Sequence, residues 1–249
     1  MKDLMGLFRD FARVRIGAMG AVFFDLDGTL TDPKTGITRS IQYALEKLHR
    51  EIPTEDELVW CIGPPLLGSF ESLLGDRLEA TTALNHYRER FADTGLYENR
   101  IYPGIEDALA ALGASGHRLF IATSKPAIYA TRIVEHFGIG GYFERLFGSE
   151  LDGTRSDKTE LIRHALDQTG IDPGNAIMIG DRSHDMIGAR NNDMTAAGVL
   201  YGYGSKDELV AAGAQRLART PDELPDIANT QGSNLIAETA VPNEGLSNP

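Results

Sequence analysis

A chain of 249 residues with 42% apolar content is long enough for one large domain carrying an insertion, or for two modest ones, and can bury a sizeable core. Its formal net charge of −12 and pI near 4.9 argue against a protein that grips nucleic acid or anionic lipid through basic stripes, so an anionic substrate must be met by local positive charge. The single cysteine, Cys61, cannot form an intramolecular disulfide, and no apolar stretch approaches the ~20 residues that span a bilayer; the expectation is a cytoplasmic monomer or homodimer with no nucleic-acid or membrane partner.

In chain order, residues 1–20 place Leu4, Leu7, Phe8, Phe11 and Val14 at helical spacing. A helix packed on the domain is expected there rather than a membrane-surface helix, because Asp3 and Asp10 would repel anionic lipid. Ala21 to Phe24 is a short, wholly apolar run, as expected of a buried parallel strand. From Asp32 to Arg100 the pattern is helical only (Ile41 to Leu48, Glu55 to Cys61, Leu66 to Leu74, Arg77 to Phe91), which predicts an all-helical insertion over 32–100. Past Tyr102-Pro103-Gly104 the strand pattern resumes at Arg118 to Ala122, Ala176 to Ile179 and Ala196 to Leu200. Helices are predicted over Ala127 to Phe137, ended by Gly138, and over Lys158 to Thr169, ended by Gly170. Alternation of strand and helix makes the core, 21–31 with 101–225, an α/β doubly wound parallel sheet carrying an inserted helical cap. The tail over 226–249, rich in Asn, Gly, Ser, Thr and Pro, is expected to be disordered.

In open α/β sheets ligands bind beyond the carboxyl ends of the strands. The residues there are Asp25-Leu26-Asp27-Gly28-Thr29, then Thr123-Ser124-Lys125, then Gly180-Asp181-Arg182-Ser183-His184-Asp185, with Lys158 opening the helix before the third strand. Acids, a hydroxyl and a cation thus converge on one edge. Phosphoryl transfer needs those parts: a nucleophile, a proton donor to the leaving oxygen, and positive charge where the equatorial oxygens become negative. Asp25 and Asp181 suit a hard cation such as Mg²⁺, Asp27 emerges on the same side of an extended chain as Asp25, and Gly28 would let backbone approach a phosphate closely.

Asp25-x-Asp27-Gly28-Thr29-Leu30, Thr123 after a strand, Lys158, and Gly180-Asp181-x-x-x-Asp185 resemble the haloacid dehalogenase superfamily over about Ala21 to Leu224. The resemblance implies a Rossmann-like core, a Mg²⁺ cofactor and an aspartyl-phosphate intermediate. It implies that Asp25 attacks phosphorus and that Asp27 protonates the leaving group and later activates water. By the same likeness Thr123, Ser124, Lys158 and Gly28 hold the phosphate. Asp25, the main-chain carbonyl of Asp27, and Asp181 bind the metal, with Asp185 in or beside that shell. Members that dehalogenate lack an acid at the place of Asp27, so phosphate chemistry is implied. The mutases present an arginine in a cap loop that here reads Gly63-Pro64-Pro65-Leu66-Leu67, without a cation. The layout is most similar to the phosphoglycolate phosphatase group, so a phosphatase acting on a small soluble phosphomonoester is expected. A 5′-nucleotidase, a sugar-phosphate phosphatase or a phosphomutase of the same superfamily is the alternative, and a catalytically silent phosphate-binding regulatory protein is the alternative of another class.

Bland readings stand beside these. Asp185 reads equally as a helix cap, Thr123 as a cap and Lys158 as a solvated lysine, and only the order of the motifs favours the site. His184 has no partner at zinc-ligand spacing; Trp60 and Cys61 read as packing residues; Gly138, Gly140 and Gly141 follow a helix and fail as a dinucleotide fingerprint. The cap cations Lys34, Arg39, Arg77 and Arg88 point either into a cleft or into solvent, which leaves the leaving group open.

Overall fold

The structure, a computed structural model, describes residues 20–229, so the expected helix before Gly20 and the tail from 230 onward lie outside the described residues. Strand β1 (Ala21–Phe24) is followed by a tight turn and a two-residue strand β2 (Thr31–Asp32). The insertion then runs through α1 (Lys34–Lys47), α2 (Leu66–Leu74) and α3 (Arg77–Asp93), and returns at β3 (Arg100–Ile101). After α4 (Ile105–Ala114) come β4 (Arg118–Pro126), α5 (Ala127–His136) and β5 (Arg145–Ser149). The chain closes with α6 (Lys158–Thr169), β6 (Ala176–Gly180), α7 (Ser183–Arg190), β7 (Thr195–Val199), α8 (Lys206–Ala212), β8 (Arg216–Ala218) and α9 (Leu224–Asn229).

The six-stranded sheet has the order β5-β4-β1-β6-β7-β8 with all pairings parallel. β1 is central, with β4 on one side and β6 on the other, so the strand order reverses there and its carboxyl end opens into the crevice of a doubly wound fold. Alternate side chains explain the unbroken apolar runs. Val22, Phe24, Ile121 and Ile179 face one hydrophobic cluster, while Phe23, Phe120 and Met178 face the other. Phe23 stacks on Phe120 at 4.8 Å, and Phe23→Ala would cost about 3–5 kcal/mol. The first cluster continues without a break into the cap through Phe70, Tyr87 and Phe91.

Several expectations change. Glu55 to Cys61, expected as a helix, is a run of turns ending in a short 3₁₀ segment over Val59–Cys61. Helix α1 begins at Lys34, earlier than expected; Gly36 and Thr38 interrupt the apolar periodicity that would have announced its first turns. β5 and β8 were not foreseen: β5 carries Arg145 and Gly148 in five residues, and β8 has only three. The insertion is bounded by strands: β2 and β3 pair antiparallel, with Asp32 opposite Arg100 and the two side chains ion-paired at 2.6 Å. The expected disordered tail starts too early, since Asp226 lies within α9, whose Leu224 and Ile227 are buried.

Candidate active site

The carboxyl ends of β1, β4 and β6 bring the acidic and basic candidates together. Asp25 extends β1, its N–H donating to the Ile179 carbonyl at 2.9 Å. Lys158 opens α6 behind the Asp157 N-cap, whose side chain accepts the Glu160 N–H. That start fixes the ammonium 3.1 Å from Asp25 Oδ1, 2.8 Å from Asp185 Oδ1 and 3.0 Å from the Ala122 carbonyl. At 4% exposure Lys158 is no solvated lysine. Of the two roles that its sequence left open, the structure shows Asp185 in the capping one. Its Oδ2 accepts the Arg182 N–H at 3.1 Å, capping α7, while Oδ1 faces Lys158. Asp181 is fully buried, its Oδ2 accepting the Tyr203 N–H at 2.8 Å and its Oδ1 having no hydrogen-bond partner.

Carboxylate oxygens of Asp25, Asp181 and Asp185 lie within 4.8 Å of one another. Three buried acids around one lysine leave net negative charge, and burial with mutual repulsion disfavours their charged forms. Burial, reinforced by Asp185 and Asp25, pushes the Asp181 carboxyl far above the usual carboxylate range. Burial likewise raises Asp185, against the pull of Lys158, to about 6. Burial works against the Lys158 charge too, but Asp185 and Asp25 outweigh it and hold the ammonium above its ordinary value. A hard divalent cation would resolve this excess, and the all-oxygen donor set with an orphaned Asp181 oxygen fits one.

Asp27 stands apart from that trio. Burial raises its carboxyl pKa, opposed by Lys125, whose ammonium ion-pairs with Asp27 Oδ2. Thr123 is buried, its hydroxyl accepting the Lys125 N–H at 3.3 Å, and the register shift between Thr123 and Pro126 bends this end of β4. Asp25, Asp27, Thr123 and Ser124 line a cleft of about 300 Å³ between core and cap; Lys158, Asp181 and Asp185 are buried beside Asp25, outside its lining. Gly28 also lies outside it. Its N–H donates to the Thr31 carbonyl at 2.7 Å, so the amide is not free for a phosphate. What demands glycine is a φ of +79° and the Asp181 carboxylate, which a Cβ would meet at 2.1 Å.

The cap supplies the opposite wall: Leu66, Leu84, Tyr87 and Phe91, with the expected cation-free loop Gly63-Pro64-Pro65 at its edge. Of the four candidate cap cations, Arg77 and Arg88 line the cleft, whereas Lys34 pairs with Asp56 and Arg39 with Glu55 outside it. Arg77 pairs with Glu71, and Arg88 donates to the Leu151 carbonyl at 2.5 Å, tying the cap to the loop after β5. His184 is exposed and no part of the acidic group, and the packing expectation fits buried Cys61 but not Trp60, which is 43% exposed.

Three groups went unassigned in the sequence. Lys125 stood inside a quoted motif without a role. The Tyr201-Gly202-Tyr203-Gly204 segment follows β7, where the same strand-end rule would have found it. Tyr201 donates to the Thr29 carbonyl at 3.0 Å, and a Cβ on Gly202 would lie 2.3 Å from Asp181 Cβ. Arg182 donates to the Ile62 carbonyl of the cap and pairs with Glu208 at 3.1 Å, a contact between distant segments that no local pattern announces.

A family model described as haloacid dehalogenase-like hydrolase matches residues 22–199. The chain is 53% identical over 191 residues to a 5′-nucleotidase of Pseudomonas aeruginosa, covering 76% of this chain and 86% of that protein. It is 30% identical over 210 residues to a plasmid phosphoglycolate phosphatase of Cupriavidus necator, covering 82% and 91%. A crystal structure of a predicted phosphatase from Clostridium acetobutylicum superposes with a TM-score of 0.81 at 42% identity, covering 84% of this chain and 98% of that one.

Proposed function

The chain belongs to the haloacid dehalogenase-like hydrolase family and is a phosphatase, and from that premise we propose that it hydrolyses a nucleoside 5′-monophosphate through a phosphorylated Asp25, with Mg²⁺ held by Asp25, Asp181 and Asp185 together with the Asp27 carbonyl. One observation carries the reading: the two strand-end carboxylates, Asp25 and Asp27, both reach the cleft, but only Asp25 is joined to Lys158 and the acidic trio. The environment gives them different work.

In the first step an Asp25 oxygen forms a bond to phosphorus as the bond to the leaving oxygen breaks. Asp27 gives that oxygen its proton, a role that suits a carboxyl whose pKa burial has raised. In the second step Asp27 takes a proton from water, water attacks phosphorus, and the Asp25–phosphorus bond breaks to release inorganic phosphate. Lys158 offsets the repulsion between the Asp25 carboxylate and the incoming phosphate, and Thr123 offers a hydroxyl at the cleft wall. Bound Mg²⁺ supplies further neutralisation of the phosphate and the carboxylates.

The cleft supports a nucleoside over glycolate as leaving group. A two-carbon acid would leave most of about 300 Å³ empty against Leu66, Leu84, Tyr87 and Phe91, whereas a sugar and a flat base would cover those side chains. The 5′-nucleotidase likeness points the same way. Turnover of nucleoside 5′-monophosphates, phosphoglycolate and sugar phosphates, each with and without Mg²⁺, tests it. Mg²⁺-dependent preference for nucleotides is expected; a preference for phosphoglycolate would overturn the substrate assignment.

A further inference from the structure

We propose that Lys125 is a positioning residue for Asp27, and that the cap holds Lys125 in place through Phe91. This rests on the reading of Asp27 as the proton donor. The two oxygens of the Asp27 carboxyl are unequal: Oδ2 is tied to the Lys125 ammonium, while Oδ1 is buried with no hydrogen-bond partner. Rotation about the last torsion of an aspartate is broad and roughly two-fold, so a carboxyl without a tether would present either oxygen in a range of orientations. The tie at Oδ2 fixes its plane and leaves Oδ1 as the oxygen available to a reacting atom. Lys158 does not share this task, since its ammonium is taken by Asp25, Asp185 and the Ala122 carbonyl.

A lysine has a long flexible stem, and holding its ammonium at one point costs rotamer entropy unless something else confines it. Here the confinement comes from the other side of the cleft. The Lys125 ammonium lies 4.8 Å from the centroid of the Phe91 ring, on cap helix α3, and the side chain is only 6% exposed. Phe91 is itself fixed, stacked on Tyr87 of the cap at 5.1 Å and edge-to-face with Tyr129 of the core at 5.5 Å. Phe91, Lys125 and Asp27 therefore form a chain of contacts across the cap–core boundary. The donor is aimed when the cap is seated, which ties proton delivery to a closed, water-poor cleft.

The test compares Lys125→Met, Lys125→Arg, Phe91→Leu and Asp27→Asn in the full-length protein with Mg²⁺, on an activated aryl phosphate and an alkyl phosphate. An alkoxide needs the donated proton and a good aryl leaving group needs it less, so Lys125→Met should lose about 10- to 100-fold more kcat on the alkyl ester. Lys125→Arg, which keeps the charge, should recover most of that difference. Phe91→Leu should show the same selectivity in kcat at roughly a few-fold, because it keeps an apolar side chain but removes the cation–π contact together with the ring contacts to Tyr87 and Tyr129 that fix it. Equal losses of kcat on both esters, or a loss confined to KM, would overturn the inference and make Lys125 a substrate-binding cation. Should Lys125→Met fail to fold, Phe91→Leu carries the same test. Should Asp27→Asn show no alkyl–aryl difference, the acid/base reading itself fails; should it show one while Lys125→Met and Phe91→Leu do not, only the present inference falls.

Discussion

Asp25, Asp27 and Asp181 sit just past strand ends of one sheet, Thr123 lies within β4 where its register shifts, and Lys158 and Asp185 sit in the first turns of helices that follow; all six are buried. The opposite wall of the cleft is built otherwise. Its apolar part comes from one face of α3 and the start of α2, its cations are the solvent-facing Arg77 and the half-buried Arg88, and its far edge is a core loop that reaches the cap through Leu151. The floor is fixed by backbone hydrogen bonds and buried charge, whereas the roof is fixed by side-chain packing across a boundary. Chemistry is thus placed where geometry is rigid, and substrate choice where surfaces can be exchanged.

On this division, substitutions in the floor impair the chemical steps or the metal site, and substitutions in the roof alter selectivity among leaving groups. The largest effect belongs to Asp25→Asn: an amide is neither a nucleophile nor a good ligand for a hard cation, and kcat should fall roughly 10⁴-fold or more with unchanged circular dichroism. Next, Asp181→Asn should lower activity at limiting Mg²⁺ by roughly 100-fold. Because it removes a buried acid whose charged form is disfavoured by burial and by Asp185 and Asp25, it should also raise the melting temperature of the metal-free protein by about 2–4 °C and abolish the stabilisation that Mg²⁺ gives the wild type. Thermal melting with and without Mg²⁺ checks both halves; a variant that melts lower without metal and still responds to Mg²⁺ would remove Asp181 from the metal site.

Gly202→Ala sharpens the boundary of the floor. The new methyl would meet Asp181 Cβ at 2.3 Å and the Gly28 carbonyl at 2.4 Å, so Asp181 must shift. A Mg²⁺ titration of activity should move to about tenfold higher concentration and recover at saturation. The smallest effect is expected in the roof: Arg88→Ala releases the Leu151 carbonyl and should raise KM for a nucleoside monophosphate by roughly a few-fold while sparing a small aryl phosphate. A parallel loss on both substrates would show that this contact serves the chemistry and that the floor–roof division is drawn in the wrong place.

The same contrast governs how far the sequence could be read. β1, α2 and α6 were legible because a wholly apolar run, a helical period or a terminal glycine is a local signal, and the strand ends then pointed to Asp25, Asp27, Thr123 and Asp181. β5 was not legible: five residues with Arg145 and Gly148 among them look like a loop, and its loss hid the Leu151 segment that meets Arg88. Gly28 drew attention for the wrong reason, since its need comes from Asp181 in a distant segment. Lys125 lay in plain view, but its ties to Asp27 and to Phe91 depend on a cap placement that no periodicity records. Arg182 and Glu208 were missed because each is defined by a partner far along the chain, whereas Tyr203 follows β7 and was within reach of the strand-end rule.

The central claim is that phosphate passes through a covalent bond to Asp25, and trapping that species tests it most directly. Asp27→Asn should slow release more than attack on an activated aryl phosphate, because the water-activating base is gone while the nucleophile remains. Acid quench of that variant within a single turnover, followed by peptide mass spectrometry, should find the phosphoryl group on the peptide containing Asp25, at the mass of an acyl phosphate that hydroxylamine removes. Product formed with no phosphorylated peptide at any time point, or a phosphoryl group carried by another residue, would contradict the account.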